Sequence, residues 1–362
     1  MNDLGGFRRR SIDKVSVIVT NYNYSEFLPE CIDSVLHQTY GNIEIIVVDD
    51  GSTDSSRAVL SKYVDQILLL EKENGGQASA FNAAIEVCTG DVVCFLDSDD
   101  VWYPNKVISV VKKFESGEFS MVCHDMEIAY ENTESPSSEL YYKSIRTKLT
   151  EGDLYEQIAW NGYNWVFPPT SGISVTRECA KSIYPLPEQE WRICADNPIA
   201  YGAAYLGPIG VVEEPLGIYR IHGNNYFHGC GVEDFKSLAE KKIESVIQKF
   251  KIYNYLRSQI YNGGKDVISP FESYYFYRNW IYITKDVDIG SLVNLIIMNI
   301  KYHKGFKCLP IKNIMQCVKY IIFDILLHMI FIFNIPSQYL KQRKVFRYNR
   351  ERVIKMQSRY MN

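Results

Sequence analysis

The chain lacks any paired Cys-x-x-Cys spacing. Its nine cysteines, Cys31, Cys88, Cys94, Cys123, Cys179, Cys194, Cys230, Cys308 and Cys317, fall singly, which excludes a zinc ribbon or a disulfide framework. Those inside apolar patterns read as small core hydrophobes in a reducing compartment. Basic charge is not in excess either: 39 Lys and Arg stand against 43 Asp and Glu, for a formal net charge of −4. With no basic stripe interleaved with aromatics, nucleic acid is excluded as the expected partner. Nor does any apolar run reach the roughly 20 residues that a spanning helix needs. Residues 320–335 come nearest, but they carry Asp324 and His328. The first ten residues hold three arginines with no apolar stretch before Val15, so no signal peptide is read and a cytoplasmic location is expected.

What is present suits two domains, since 362 residues at 46% hydrophobic can bury one large core and a smaller one. Apolar, β-branched runs at 15–20, 43–48, 67–70 and 92–96 alternate with helical spacings, the clearest being Phe27, Leu28, Cys31, Ile32, Val35 and Leu36. Further helices are expected after Ser52, Thr53 or Asp54 as cap, from Asn74-Gly75-Gly76-Gln77 to Cys88, and over 106–115; a strand is expected near 119–123. This alternation specifies an α/β fold, a mostly parallel sheet with helices on both faces. Residues 131–139 read as an exposed loop and 160–169 as an irregular aromatic stretch. From about 232 the pattern turns helical, which places domains at 1–230 and 231–362 with a boundary near 229–231. The second ends in a basic tail of Lys341, Arg343, Lys344, Arg347, Arg350, Arg352, Lys355 and Arg359 against Glu351. Together with the apolar helix at 320–335, that tail suits either a buried bundle or peripheral contact with an anionic membrane through 320–362.

Two of the apolar runs end in carboxylates. Residues 45–48 run into Asp49-Asp50-Gly51-Ser52-Thr53-Asp54, and 92–96 into Asp97-Ser98-Asp99-Asp100. Carboxylates just past the ends of parallel strands lie on the edge where open α/β sheets bind ligands. Clustered carboxylates repel unless a cation lies among them, and hard oxygen donors suit Mg²⁺ or Mn²⁺ bridging a diphosphate. The residues themselves thus point to a metal-dependent nucleotide site.

In order, Val17-Ile18-Val19-Thr20-Asn21-Tyr22-Asn23, Val47-Val48-Asp49-Asp50-Gly51-Ser52-Thr53-Asp54 and Leu96-Asp97-Ser98-Asp99-Asp100 resemble the family 2 (GT2) inverting glycosyltransferases, of bacterial surface-polysaccharide type. The resemblance covers about 15–225. It implies a GT-A, Rossmann-like catalytic domain followed by a mainly helical C-terminal domain. The activity implied is that of a hexosyltransferase moving sugar from a nucleotide-sugar donor, a UDP-sugar by expectation, to a glycan or lipid-linked acceptor. It further implies Mg²⁺ or Mn²⁺ as cofactor, a cytoplasmic protein peripheral on the inner face of the membrane, and a homodimer as one arrangement.

The resemblance assigns nucleotide contacts to Thr20, Asn21, Tyr22, Asp50, Asp97 and Ser98, with Asp50 reading the uracil edge. Asp99 of the DxD motif would bind the metal, and Arg220 and His222 of the closing element Tyr219-Arg220-Ile221-His222 would reach the diphosphate or metal as a loop folds over the donor. Trp191-Arg192-Ile193-Cys194-Ala195-Asp196 occupies the place of the family's Glu-Asp element, with Ala195 where Glu is usual. Asp196 is the candidate base and Glu190 the reserve. Each residue also has a plainer reading. Asp49, Asp54 and Asp100 suit turn or cap roles, Asp196-Asn197-Pro198 suits a helix start, and Trp165 and Trp191 suit either a core or stacking on a sugar. Where relatives place Arg after the Asn-x-Gly turn, this chain has Gln77, Ala78, Ser79, Ala80 and Phe81. Two other functions stay open at this point: a catalytically silent nucleotide-sugar-binding subunit of a membrane glycan assembly, and a sugar-nucleotide pyrophosphorylase.

Overall fold

A computed structural model describes residues 11–130, 139–141, 149–160, 165–223, 248–249 and 251–261. The chain divides into two units, one of residues 1–155 and 166–229, the other of 156–165 and 230–362.

The first unit is built on β1 (Val15–Asn21), β2 (Ile43–Asp49), β3 (Leu68–Glu71) and β4 (Val92–Asp97). Helices α1 (Leu28–Leu36), α2 (Ser56–Leu60) and α3 (Gln77–Val87) connect them. Then follow β5 (Val101–Trp102), α4 (Lys106–Ser116), β6 (Met121–His124) and β7 (Glu127–Tyr130). A 3₁₀ turn Thr170–Gly172, β8 (Ile173–Thr176), α6 (Arg177–Ile183), α7 (Asp196–Leu206), β9 (Ile209–Val212) and β10 (Gly217–Ile221) complete this unit, while the short α5 (Tyr155–Trp160) between β7 and the 3₁₀ turn belongs, after Tyr155, to the second unit.

Seven strands form the main sheet in the order β3-β2-β1-β4-β8-β6-β9, with β8 antiparallel to both neighbours and every other pair parallel. Period-2 placement explains the layers. Val15, Val17 and Val19 of β1 and Val92, Cys94 and Leu96 of β4 share one core with Leu28, Cys31 and Ile32 of α1 and Val107, Val110 and Val111 of α4. On the opposite face Phe81 of α3 meets Phe95 of β4 edge to face at 5.0 Å. Each such fully buried aliphatic or aromatic side chain contributes about 1.5–3 kcal/mol of transfer free energy, so both faces hold the strand ends rigidly. Within the described residues the free cysteines are Cys31, Cys88, Cys94, Cys123 and Cys179, all buried, and the partly exposed Cys194.

The register sets the site. β1 pairs with β2 through Asn21↔Asp49 and with β4 through Thr20↔Asp97, so three strands end at one level. The chain passes from β1 outward through β2 and β3, then returns to place β4 on β1's other side. The gap between β1 and β4 is the topological switch point where such sheets take ligands.

Residues 215–225 were expected as a loop. Instead Gly217–Ile221 is strand β10, the middle of a second sheet ordered β5-β10-β7, antiparallel to β5 and parallel to β7. Opened by Gly217 and interrupted by Arg220, the segment gave no strong strand signal, and pairing with two remote strands supplies the order.

In the second unit, 251–255 is α-helical and Leu256–Ile260 a π turn, with Ile252, Tyr255, Leu256 and Ile260 buried. The rest of the expected helical domain, including 320–335 and the basic tail, lies outside the described residues. Among those described, no helix is long and apolar enough to cross a membrane.

Gly76 precedes α3 at φ +87°, and a Cβ there would meet the Arg192 side chain and, at 2.5 Å, its carbonyl oxygen. Gly76→Ala is therefore expected to lower stability by about 1–3 kcal/mol, measured as a shift in urea midpoint against Gly41→Ala, where a Cβ meets nothing within 4 Å.

Candidate active site

The β2 end is held by its own side chains. Asp49 accepts from Asn21 Nδ2 at 2.9 Å and from the Ser52 hydroxyl at 2.5 Å, so it ties β1 to the turn, bonding side chains where a capping role would bond backbone. Asp54 accepts from Ser56 N and Ser25 N, both at 2.9 Å, just ahead of the α2 cap Ser55. Asp50 is committed further than its sequence role implied. Its Oδ1 takes Lys72 Nζ at 2.7 Å and Gly75 N at 2.9 Å, and its Oδ2 takes Gly76 N at 2.7 Å. Any base edge read by Asp50 would share a carboxylate already bound on both oxygens.

Tyr22 leaves β1 with its ring 47% exposed, while Thr20 is partly buried and Asn21 buried. Asn21 Oδ1 and Ser98 Oγ are buried without a hydrogen-bond partner in the protein. Orphaned buried acceptors and hydroxyls are rare in a finished fold. Both sit at the ends of the adjacent strands β1 and β4, where a ligand would lie.

The β4 end gathers the carboxylates. Asp97 is pushed up to about 7, first by burial and then by Asp99 and Asp196, with the Thr170 and Gln77 side chains pulling the other way. Asp100 was expected to cap the turn into Trp102. Instead it accepts Ser171 Oγ at 2.6 Å and Arg220 N at 3.1 Å, clamping the 3₁₀ turn and β10 onto the strand end. Burial, then Asp99 and Asp97, hold its carboxyl well above the usual range. Tyr24 lies beside the same group, its phenol raised first by burial and then by Asp99, Asp97 and Asp100.

Asp99 and His222 meet at 3.0 Å between Oδ2 and Nε2 and are 7% and 5% exposed. The imidazole stacks on Phe27 at 4.8 Å and meets Tyr24 edge-on at 5.4 Å, so aromatic walls fix its plane. Arg220 pairs with Glu30 of α1 and lies 5.4 Å over Phe27. Beneath the cluster, the fully buried Lys106 lies 3.6 Å over the Trp102 ring and bonds Ser174 Oγ at 3.1 Å, burial lowering its pKa. Trp102 in turn donates to the Ser171 carbonyl at 2.9 Å.

Asp196 is the first residue of α7, whose N-cap is Ala195 and makes no side-chain cap bond. Its carboxyl is pushed up to about 6 by burial, with the backbone N–H groups of Asn197 and Asp196 pulling the other way. Oδ1 is buried with no hydrogen-bond partner. The helix-start reading holds, since Asp196 opens α7 and its carboxyl takes first-turn amides while Oδ1 stays uncommitted. Asp196 also adds to the raised pKa of Tyr141 after burial, and Tyr141 packs edge-on against Tyr219 at 5.6 Å.

Of the remaining candidates, Trp191 is fully buried, which makes it core rather than a sugar platform, and Glu190 is exposed beside it. Trp165 is partly buried and falls in the second unit. Sequence reasoning missed Gln77, Thr170 and Ser171. Gln77 follows a visible Gly-Gly turn, but Thr170 and Ser171 come from a remote turn with no local signal.

The donor set suits a hard divalent cation. Among the described residues no three His, Cys, Asp or Glu side chains form a ready cage. Mg²⁺ and Mn²⁺ commonly keep waters and substrate phosphates and take only one or two protein groups, and the adjoining Asp99 and His222 are the pair that could hold such an ion.

Residues 16–165 match the family model described as Glycosyl transferase family 2. The chain is 43% identical over 216 residues to an uncharacterized glycosyltransferase of Nostoc sp., covering 59% of this chain and 66% of that one. With an uncharacterized glycosyltransferase of Rickettsia prowazekii the identity is 42% over 130 residues, covering 35% and 39%. The chain therefore spans just under two thirds of the first relative and about two fifths of the second. Among solved structures, S. aureus TarS 1-349 in complex with UDP-GlcNAc shares the fold at a TM-score of 0.51 and 16% identity, covering 82% of each chain.

Proposed function

We propose, for a chain that carries a family 2 glycosyltransferase domain across residues 16–165, that it moves a sugar from a UDP-linked donor to a glycan or lipid-linked acceptor with inversion, using Asp196 as base. One observation carries this reading: a carboxyl of pKa about 6 with an uncommitted, buried oxygen, within electrostatic reach of Asp97 at the sheet's ligand edge. A base near the operating pH combines ionisation with proton affinity better than an ordinary aspartate does.

Asp196 takes the proton of the acceptor hydroxyl as its oxygen bonds the anomeric carbon, and the bond from that carbon to the diphosphate breaks on the opposite side. No protein nucleophile is needed. Asp99 and His222 would hold Mg²⁺ or Mn²⁺, which when bound neutralises the leaving diphosphate. The exposed Tyr22 is the group open to the nucleoside, with the buried, unpartnered Asn21 Oδ1 and Ser98 Oγ behind it at the strand ends. The choice of UDP rests on the resemblance of the strand-end motifs and on the fold shared with a protein crystallised with UDP-GlcNAc.

Calorimetric titration with UDP, GDP and dTDP, each with and without Mn²⁺, tests this. UDP alone should bind, and only with metal; binding of GDP or dTDP instead would move the donor class, and binding of none would remove the reading. We also propose peripheral attachment to the inner face of the cytoplasmic membrane through 320–362, in a pathway making a surface polysaccharide, with a homodimer as one arrangement. Neutralising Lys341, Arg343, Lys344 and Arg347 should cut co-sedimentation with anionic vesicles by roughly tenfold or more, at about 1 kcal/mol per basic residue near such a surface. Unchanged co-sedimentation would sink the membrane proposal.

A further inference from the structure

Helix α3 begins without a side-chain cap. Its first amides are taken by the segment that leads to Asp196: Gln77 N donates to the Arg192 carbonyl at 2.9 Å and Ala78 N to the Trp191 carbonyl at 3.3 Å. The Gln77 side chain extends this contact. Its Oε1 accepts from Ala195 N at 2.8 Å. The same side chain is near enough to Asp97 to pull its carboxyl down. A single carboxamide therefore ties the first residue of α3 to the residue immediately before the first turn of α7.

We propose that Gln77 is a positioning residue, which fixes the segment carrying the Asp196 carboxyl against the start of α3. The catalytic consequence rests on the glycosyl-transfer reading above; the structural tie does not. That bond is not available to an apolar side chain. The tied residues are more than 100 positions apart in sequence, and Ala195 makes no side-chain cap bond of its own. Without Gln77 the 191–196 segment loses its side-chain bond to α3 while the backbone bonds and the Arg192–Asn74 contact remain, and a carboxyl displaced by about 1 Å from its line to the acceptor hydroxyl costs up to about 100-fold in rate.

The test compares the full-length wild-type chain with Gln77→Leu and Gln77→Glu. Hydrogen exchange of the peptide spanning 191–197 should rise about tenfold in Q77L, as the loss of one hydrogen bond allows. It should stay near wild type in Q77E, which keeps an oxygen facing Ala195 N. UDP affinity measured with Mn²⁺ should remain within about threefold in Q77L, while UDP release from UDP-glucose, UDP-galactose or UDP-GlcNAc with water as acceptor falls about 10- to 100-fold. A loss of affinity equal to the loss of rate would mean a merely structural role and overturn the proposal. So would a wild-type rate, or unchanged exchange in Q77L. Failure of the wild-type chain to bind UDP would instead overturn the nucleotide-sugar reading, and the exchange comparison would still decide the tie between Gln77 and the 191–197 segment.

Discussion

Asp196→Asn is expected to lower sugar transfer by about 10²- to 10⁴-fold, the usual contribution of a positioned general base. UDP affinity should stay within about threefold, because Asn preserves the shape and the variant removes no group at the diphosphate. The wild-type pH profile should carry an acid limb near pH 6, the value to which burial pushes this carboxyl, and the Asn variant should lose that limb along with the activity. The same shift has a stability consequence of opposite sense. A carboxyl raised on folding contributes stability that is complete below its unfolded value of about 3.8 and is lost as pH rises through about 6. At pH 8 the variant should therefore melt at a higher temperature than the wild type, trading activity for stability. Retained transfer in Asp196→Asn would take the base role from this residue, and Glu190 would be tested next.

The second large effect is at the metal. Asp99→Ala should abolish the Mn²⁺ dependence of UDP binding and weaken that binding on the order of 100-fold or more, since a divalent cation is worth several kcal/mol to a diphosphate. The change also leaves His222 without its 3.0 Å partner, though Phe27 and Tyr24 still hold the ring in place. His222→Ala should weaken metal-dependent binding less than Asp99→Ala, because a neutral imidazole adds no charge to the site. Metal-dependent UDP binding that survives Asp99→Ala would place the cation elsewhere in the cluster.

Much of the site was legible because local chemistry dictated it. β-branched runs buried on both faces could only be parallel strands, and their carboxylate-rich ends could only lie on one edge of the sheet. Asp97 and Asp99 follow from that edge and from the order of the motifs, and Asp196 was singled out only by the resemblance of its segment to a family element. Asp50 and Asp100 did not, because a carboxylate's partner depends on which remote backbone comes near it. Asp50 went to Lys72 and the Gly75–Gly76 amides, and Asp100 to Ser171 and the β10 backbone. Trp191 was ambiguous for a similar reason: an aromatic flanked by charged residues reads equally as core or as platform, and only packing buried it.

The sequence by itself determined the strand-helix alternation, the free and unpaired cysteines of the first unit, and the acidic strand ends that define the ligand edge. Each is a property of residues within a few positions of one another, where periodicity and side-chain chemistry leave little choice. The tertiary structure alone decided that β8 runs antiparallel inside the sheet, that β10 is a strand carrying His222 onto Asp99, and that Gln77 takes the Ala195 amide. Those arrangements depend on long-range pairing, whose partners are chosen by the competition of whole surfaces for burial and hydrogen bonds rather than by any local pattern.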